Sequence, residues 1–270
     1  MKTFLVPVDF SEASVNAAKY AVGLVGGIPD VHVILYHVYN KISLSALTDK
    51  DNSRQKISED ELDDIVKILA APENVKLSTV TDEGFFVSSL ETFVLANKVD
   101  MVIMGITGSS RIKQVFMGTN TLNVIRHTNV PVMIIPPDAV MISLKNVLLV
   151  SDFKDVARTT PFAAIKTVLD LFPSNLHILN VDSEHYIELT EEFKVERQSM
   201  DDKLNSYNPE YSFLRAYDFL EGINRFAANK SIDAIITIPH RHGILSQLFQ
   251  TSHTKKLAYH SHVPIIAIPA

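Results

Sequence analysis

The 270-residue sequence contains no cysteine. Disulfide bonds, thiolate nucleophiles and cysteine-based metal sites are therefore excluded. It also contains no apolar run of about eighteen residues, the length that a membrane-spanning helix needs, and we expect no membrane association. The opening residues MKTFLVPVDF enter an apolar, strand-like run without the charged start and small-residue cleavage site of a signal peptide. The expected location is the cytoplasm.

The chain also carries only a small excess of negative charge. The formal net charge is −6 and the pI about 5.9, which argues against a broad basic surface for nucleic acid or anionic lipid. We expect neither partner. Hydrophobic residues make up 46% and charged residues 21% of the chain, as in ordinary globular proteins. The length allows one large domain or two of ordinary size.

What the sequence does contain is an internal duplication. Four segments of the first half align without gaps with four of the second: 4–11 with 147–154, 32–40 with 175–183, 90–104 with 223–237, and 124–136 with 257–269. The alignment places Asp9 opposite Asp152, and Asp100 opposite Asp233. The last two pairs have a smaller offset, so the second copy has lost residues in its middle. We predict two tandem domains.

The predicted domains are 1–137 and 145–270, and each alternates strands with helices. In the first copy, continuous apolar runs predict buried parallel strands, and helical periodicity with Ser11 as N-cap predicts helices. The predicted strands are 2–8, 30–38, 75–81, 100–105 and 130–136, and the predicted helices are 11–27, 53–71, 85–98 and 112–128. This alternation is typical of the α/β class and predicts a doubly wound, five-stranded parallel sheet with right-handed crossovers.

In such sheets a ligand binds beyond the carboxyl ends of the strands, where the winding direction reverses. The first strand ends at Val8–Asp9 and the fourth at Met104–Gly105. If these strands are neighbours, both ends face one crevice. The sequence therefore predicts a ligand site formed by these two ends.

Three of the nine glycines, Gly105, Gly108 and Gly118, lie around the turn after the fourth strand. Bare backbone amides at such a turn form a concave site for anions, and we interpret the spacing G-x2-G-x9-G-T as a phosphate-binding loop. Gly105 is expected to let the chain leave the strand sharply. The P-loop is excluded because no lysine follows Gly108, and the dinucleotide fingerprint is absent after the first strand.

These motifs carry a family resemblance. PVDFS at the end of the first strand, MG-x2-G-x9-GT and the closing strand VPVMIIP together resemble the universal stress protein family, and the resemblance covers both repeats. It implies strand order 3-2-1-4-5 in each domain, a cytoplasmic location, and pairing of the two domains through their last strands. Apolar final strands in both copies fit that pairing, because it covers an exposed sheet edge. Two chains can associate further as a homodimer.

The resemblance also implies an ATP site in the first domain, with Mg²⁺ bridging phosphates. Pro7, Val8 and Asp9 would lie near ribose and adenine, and Val38 would face adenine through its backbone. The phosphates and ribose would be lined by Met104, Gly105, Thr107, Gly108, Gly118, Thr119 and Asn120. Thr107 stands where ATP-binding members often carry histidine, and its hydroxyl can still bond a phosphate.

The second copy is expected to have lost this phosphate loop. Gly105, Gly108, Gly118 and Thr119 are replaced by larger or different side chains, namely Ile238, Arg241, Thr251 and Ser252. Pro239 removes a further N–H, while Asp152 is retained. We therefore expect one nucleotide per chain, bound in the first half.

Other polar groups are interpreted as structural. The histidines of PHRHG (239–243), with His253, His260 and His262, lack a carboxylate or cysteine at ligand spacing, and we expect no metal site. The acidic run 58–67 fits the solvated face of a helix. Asp100 and Asp233 fit a turn role, and His127 is expected to meet the negative end of its helix.

The favoured function is an ATP-binding stress-response or regulatory protein with little or no dedicated catalysis. No nucleophile is paired with an activating base, so hydrolysis of ATP would be slow. The alternatives are a scaffold that binds no nucleotide and acts through its sheet edges, or an adenylate-handling enzyme. Nucleotidyl transferases of the latter kind carry an H-x-G-H motif after the first strand, and VDFSEAS lacks it.

Overall fold

The structure, a computed structural model, describes residues 1–39, 48–106, 119–141, 143–182, 190–239 and 263–269. The chain divides into two compact units, Met1–Ile142 and Ser143–Ala270. In the part of the chain that the structure describes, no helix has both the length and the apolar character that crossing a bilayer requires.

The first unit is a doubly wound parallel sheet. Its elements are β1 (Lys2–Pro7), α1 (Glu12–Val25), β2 (Val31–Tyr39), α2 (Thr48–Ile68), β3 (Val75–Glu83), α3 (Phe86–Ala96), β4 (Met101–Gly105), α4 (Thr119–His127) and β5 (Val132–Ile135). The strands lie in the order β3-β2-β1-β4-β5 and all pair in parallel, which confirms the predicted order.

The second unit repeats this architecture with one helix divided. Its elements are β6 (Asn146–Val150), α5 (Val156–Thr159), α6 (Phe162–Leu171), β7 (Asn175–Asp182), α7 (Glu191–Leu204), β8 (Glu210–Arg215), α8 (Phe219–Asn229), β9 (Ala234–Thr237) and β10 (Ile265–Ala267). The order β8-β7-β6-β9-β10, with parallel pairing, is again 3-2-1-4-5. The pairing of the two last strands stays a prediction.

Local sequence signals account for the bounds of α1. Ser11 is the N-cap of α1, and its hydroxyl accepts a hydrogen bond from the Ser14 N–H (3.2 Å). Gly26 follows the last residue of α1, as predicted. Every residue of β4 is buried, as an apolar strand covered on both faces should be. Helix α2 differs from prediction: it begins earlier, and it ends at Ile68 rather than directly before Pro72. Residues 112–118 of the predicted fourth helix lie outside the described residues.

The amino ends of the first and fourth strands are joined in the same way in both units. In the first unit, Asp100 Oδ2 accepts a hydrogen bond from the Thr3 N–H (2.7 Å), and the Asp100 N–H donates to the Thr3 carbonyl (2.8 Å). In the second, Asp233 Oδ2 accepts from the Lys145 and Asn146 N–H groups at 2.7 and 2.8 Å. Both aspartates lie at the end of the sheet remote from the crevice, which agrees with their structural interpretation.

We expect Asp100→Ala to lower the free energy of unfolding by about 1–3 kcal/mol, because a partly buried backbone N–H loses a charged acceptor. Asp233→Ala should destabilise the second unit by a similar amount. Chemical denaturation measures both, with Glu61→Ala on the exposed face of α2 as the control. Equal denaturation midpoints for the control and the aspartate variants would contradict the structural role of Asp100 and Asp233.

Candidate functional site

The carboxyl ends of three adjacent strands, β2, β1 and β4, bring most of the described candidate residues to one edge of the first sheet. The hydrogen bonding between β1 and β2 continues one residue past the end of β1, because the Val8 N–H donates to the Tyr36 carbonyl at 2.8 Å. The residues placed at this edge are Pro7, Val8, Asp9, Val38, Met104 and Gly105. Pro7, Val8, Met104 and Gly105 are buried, Val38 is half-buried and Asp9 is exposed. The Asp9 side chain is therefore open to solvent at the mouth of the predicted crevice.

The turn from β1 into α1 holds Asp9 in a fixed arrangement. Asp9 Oδ1 accepts hydrogen bonds from the backbone N–H (3.1 Å) and the hydroxyl of Ser11, while the Asp9 N–H donates to Ser14 Oγ (3.3 Å). Phe10, between them, has a left-handed backbone with φ of 63°, an uncommon conformation for a bulky residue. The Asp9 carboxylate is thus oriented by the helix that follows it.

The hydrogen bonds of this turn also favour the ionised form of Asp9. Burial raises the pKa of its carboxyl group, but hydrogen bonds from Ser11 and Ser14 lower it further than burial raises it. The pKa of Asp9 therefore lies below its ordinary value of 3.8. At neutral pH the crevice presents a carboxylate, a group that accepts hydrogen bonds from hydroxyls and binds hard cations.

Gly105 is bare for a different reason from the one expected. Gly105 is the last residue of β4 and pairs with Ile135, and the next N–H, that of Ile106, donates to the Ile135 carbonyl (3.2 Å). The chain therefore continues along β5 after Gly105 and does not turn sharply there. A Cβ at this position would lie 2.3 Å from the carbonyl oxygen of Ala13. Glycine is required because the first turn of α1 packs directly on the strand. Its role toward a ligand stays a prediction.

His37 lies at the same edge of the sheet and was missed by sequence reasoning. Its Nδ1 lies 2.7 Å from the Val8 carbonyl oxygen, and because a carbonyl only accepts, Nδ1 carries the proton. Its ring lies 4.5 Å from that of Phe10, centroid to centroid. The duplication offered a signal: position 37 aligns with Asn180, whose Nδ2 donates to the Ser151 carbonyl at 3.0 Å. Both units thus use a side-chain donor at this position.

The phosphate-facing half of the predicted site is described only in part. Thr107, Gly108 and Gly118 lie outside the described residues. Thr119 begins α4, and the exposed Asn120 follows it. Because α4 joins two parallel strands, it must run back along the sheet, so its first turn lies toward the carboxyl ends of β4 and β5. That placement is compatible with the predicted contacts, which stay predictions.

The corresponding edge of the second unit keeps the turn but changes its surroundings. Asp152 Oδ1 accepts from the Lys154 N–H at 3.1 Å, as Asp9 does from Ser11. Ile238, the counterpart of Gly105, is buried. Phe153, the counterpart of Phe10, is 3% exposed. Arg241, Thr251 and Ser252 lie outside the described residues, as do the histidines of that segment from His240 to His262.

Of the histidines interpreted as structural, His127 is described. It is the last residue of α4, is exposed, and its Nδ1 lies 2.8 Å from the Asn123 carbonyl oxygen. The contact places the imidazole against the last turn of α4. The position agrees with the expected role at the negative end of the helix.

The fold and crevice define a tandem, doubly wound α/β protein. The model of the universal stress protein family matches residues 1–136, half of the chain, and the chain belongs to that family. A universal stress protein of Methanocaldococcus jannaschii is 27% identical over 140 residues, a match that covers 50% of this chain and 81% of the relative.

Solved structures share the fold along nearly the whole chain. A universal stress protein from Archaeoglobus fulgidus superposes with a TM-score of 0.69 at 20% identity, covering 99% of this chain and 96% of its own. The cytoplasmic domain of a prokaryotic cation chloride cotransporter superposes with a TM-score of 0.56 at 12% identity, covering 98% and 94%. At these identities the likeness is one of fold alone.

Gly105→Ala should lower the free energy of unfolding by about 1–3 kcal/mol, since α1 must move away from β4 to admit the methyl group. Gly27→Ala is the matched control, because nothing lies within 4 Å of a Cβ there. Thermal melts of the two variants are compared with that of the parent chain. A parental melting temperature for Gly105→Ala would show that α1 does not rest on this strand.

Asp9 should contribute to stability in a pH-dependent way. Its folded-state pKa is lowered, so the contribution is present above its ordinary value of 3.8 and is lost as the pH falls through the folded-state pKa. The free-energy difference between the parent chain and Asp9→Asn should therefore be larger at about pH 7 than at about pH 3. Denaturant titrations at the two pH values measure it. A constant difference would mean that Asp9 acts only through its shape.

Proposed function

We propose that the chain is a cytoplasmic ATP-binding stress-response protein with one nucleotide site, in the first unit, and no dedicated catalysis. The observation that carries the proposal is the ionised Asp9 at the carboxyl ends of β1, β2 and β4, in a member of the universal stress protein family. This edge of a doubly wound sheet is where ligands bind, because the crossovers diverge there and leave a crevice.

The roles within the site follow from chemistry at each strand end. The Asp9 carboxylate suits ribose hydroxyls or a Mg²⁺ ion, since both call for an oxygen acceptor. Val38 is half-buried near the end of β2, where its backbone can face a base. Thr107, Gly108, Gly118, Thr119 and Asn120 would hold the phosphates. Mg²⁺, when bound, would neutralise phosphate charge; the residues named here orient the nucleotide.

The two domains, 1–137 and 145–270, would then differ in task. The first binds the nucleotide, and the second, with Ile238 in place of Gly105, serves as a structural partner. We propose that the last strands of the two domains pair within one chain. That arrangement would cover the exposed edge of each sheet.

Calorimetric titration should give one ATP per chain. Asp9→Ala is expected to weaken binding about ten-fold or more, as loss of a charged hydrogen-bonding partner does. Asp152→Ala, the same substitution at the equivalent position of the second unit, should leave the affinity unchanged. Gly108→Val should abolish binding while the protein stays folded by circular dichroism.

Three results would count against the proposal. Two ATP molecules per chain would show that the second unit binds as well. Equal losses in Asp9→Ala and Asp152→Ala would show that Asp9 has no special role. Absence of ATP both from the purified protein by mass spectrometry and from calorimetric titrations would favour the interaction scaffold instead.

A further inference from the structure

The two copies place equivalent phenylalanines in an unusual backbone conformation. Phe10 follows Asp9 and Phe153 follows Asp152, and their φ angles are 63° and 52°. A left-handed backbone is uncommon for an aromatic residue. Both units therefore keep the same left-handed turn residue before their first helix. What differs is the surface that each ring meets.

In the second unit the ring of Phe153 is packed inside an aromatic cluster. Its centroid lies 5.2 Å from that of Phe193, 6.0 Å from Phe213 and 6.3 Å from Tyr211. Phe193 comes from α7, and Phe213 and Tyr211 from β8. With 3% of Phe153 exposed, the cluster fills the space between the turn, α7 and β8 with the protein's own side chains.

The strand registers show that the first unit lacks the two rings that β8 contributes to this cluster. In the second unit, Tyr211 lies opposite Ile178 and Phe213 opposite Asn180. The equivalent positions of β2 in the first unit are Leu35 and His37, and their partners on β3 are threonines, Thr79 and Thr81. Two aromatic rings are thus replaced by small polar side chains. Phe10 is accordingly half-buried rather than enclosed.

His37 supplies the aromatic ring contact of Phe10 within the described residues, at 4.5 Å between centroids and an interplanar angle of 40°. The hydrogen bond from position 37 to the end of the first strand does not by itself need an imidazole, because Asn180 makes the same bond to Ser151. Besides making this hydrogen bond, the side chain at position 37 of the first unit places a flat imidazole ring beside Phe10. His37 hydrogen-bonds the carbonyl of Val8 and directly precedes Val38 on β2. The two rings therefore lie beside two of the predicted site residues.

We propose that the Phe10–His37 ring pair is the base-contacting surface of the nucleotide site, and that it selects ligands with a flat aromatic base. The inference rests on the proposed nucleotide-binding function and assigns two residues to it. Bases stack on aromatic side chains through their faces, and a purine offers the larger face. In the second unit, Phe193, Tyr211 and Phe213 occupy the place that such a base would take.

The chain contains no tryptophan, so a single tryptophan can report on this surface. In Phe10→Trp, addition of ATP should quench the tryptophan fluorescence, because a stacked purine lies against the indole. Inorganic triphosphate, which has no base, should not quench it at concentrations that compete with ATP in calorimetry. Two control variants each carry their one tryptophan in the second unit, Phe153→Trp in the cluster and Tyr217→Trp on an exposed loop. Neither should respond to ATP.

Affinity gives a second readout. Phe10→Leu keeps an apolar side chain but removes the ring, and it should weaken ATP about ten-fold while leaving triphosphate binding unchanged. His37→Asn, the residue of the second unit, keeps the bond to Val8 and should also weaken ATP selectively. Circular dichroism and melting temperatures check that each variant folds.

The outcomes separate the two proposals. If the parent chain binds ATP by calorimetry but Phe10→Trp shows no quenching and Phe10→Leu binds ATP normally, the ring pair does not contact the base and this inference is wrong. If the parent chain binds no nucleotide, the proposed function itself fails and the inference fails with it. Equal weakening of ATP and triphosphate in Phe10→Leu would also overturn it, since the ring would then be acting on the phosphates.

Discussion

The close approach of α1 to β4 at Gly105 is the contact on which the geometry of the first crevice depends. A Cβ on Gly105 would lie 2.3 Å from the Ala13 carbonyl oxygen, so the helix can rest on the strand only if no side chain intervenes. With α1 in that position, Ser11 and Ser14 reach back to Asp9. The short path from β1 into α1 leaves one residue, Phe10, in a left-handed conformation. The serine contacts that orient the Asp9 carboxylate therefore depend on one missing side chain.

The second unit shows a different solution where that contact is absent. Ile238 replaces Gly105, and the first helix is divided into α5 and α6, with Pro161 just before the second. Proline cannot donate a backbone hydrogen bond, which favours a break there. The turn is held instead by α7, whose Glu196 accepts a hydrogen bond from the Val156 N–H at 2.7 Å. Packing from a neighbouring helix has replaced packing on the strand.

The sequence predicted the features that depend on local pattern. Strands buried on both faces are continuous apolar runs, so β1 and β4 were located to within a residue or two, and Ser11 was identified as a cap from its position before an apolar helix. The reason for Gly105 was missed, because it depends on which helix lies above the strand. The roles of His37 and of the threonines opposite β2 were missed as well. Which residues of neighbouring strands face each other depends on the strand register, and the sequence of either strand alone does not show it.

The fold alone does not decide what such a chain does, since a cotransporter domain shares it at 12% identity. What the fold provides is an edge where strand ends meet, and side chains decide whether that edge stays open. Fully burying an aromatic or aliphatic side chain stabilises a protein by about 1.5–3 kcal/mol. The second unit gains this by enclosing Phe153 between the turn, α7 and β8. The first unit forgoes part of it at Phe10, beside an ionised Asp9. A half-buried ring next to a fixed carboxylate is a poor way to stabilise a fold and a good way to hold a ligand that has both an aromatic face and hydroxyl groups.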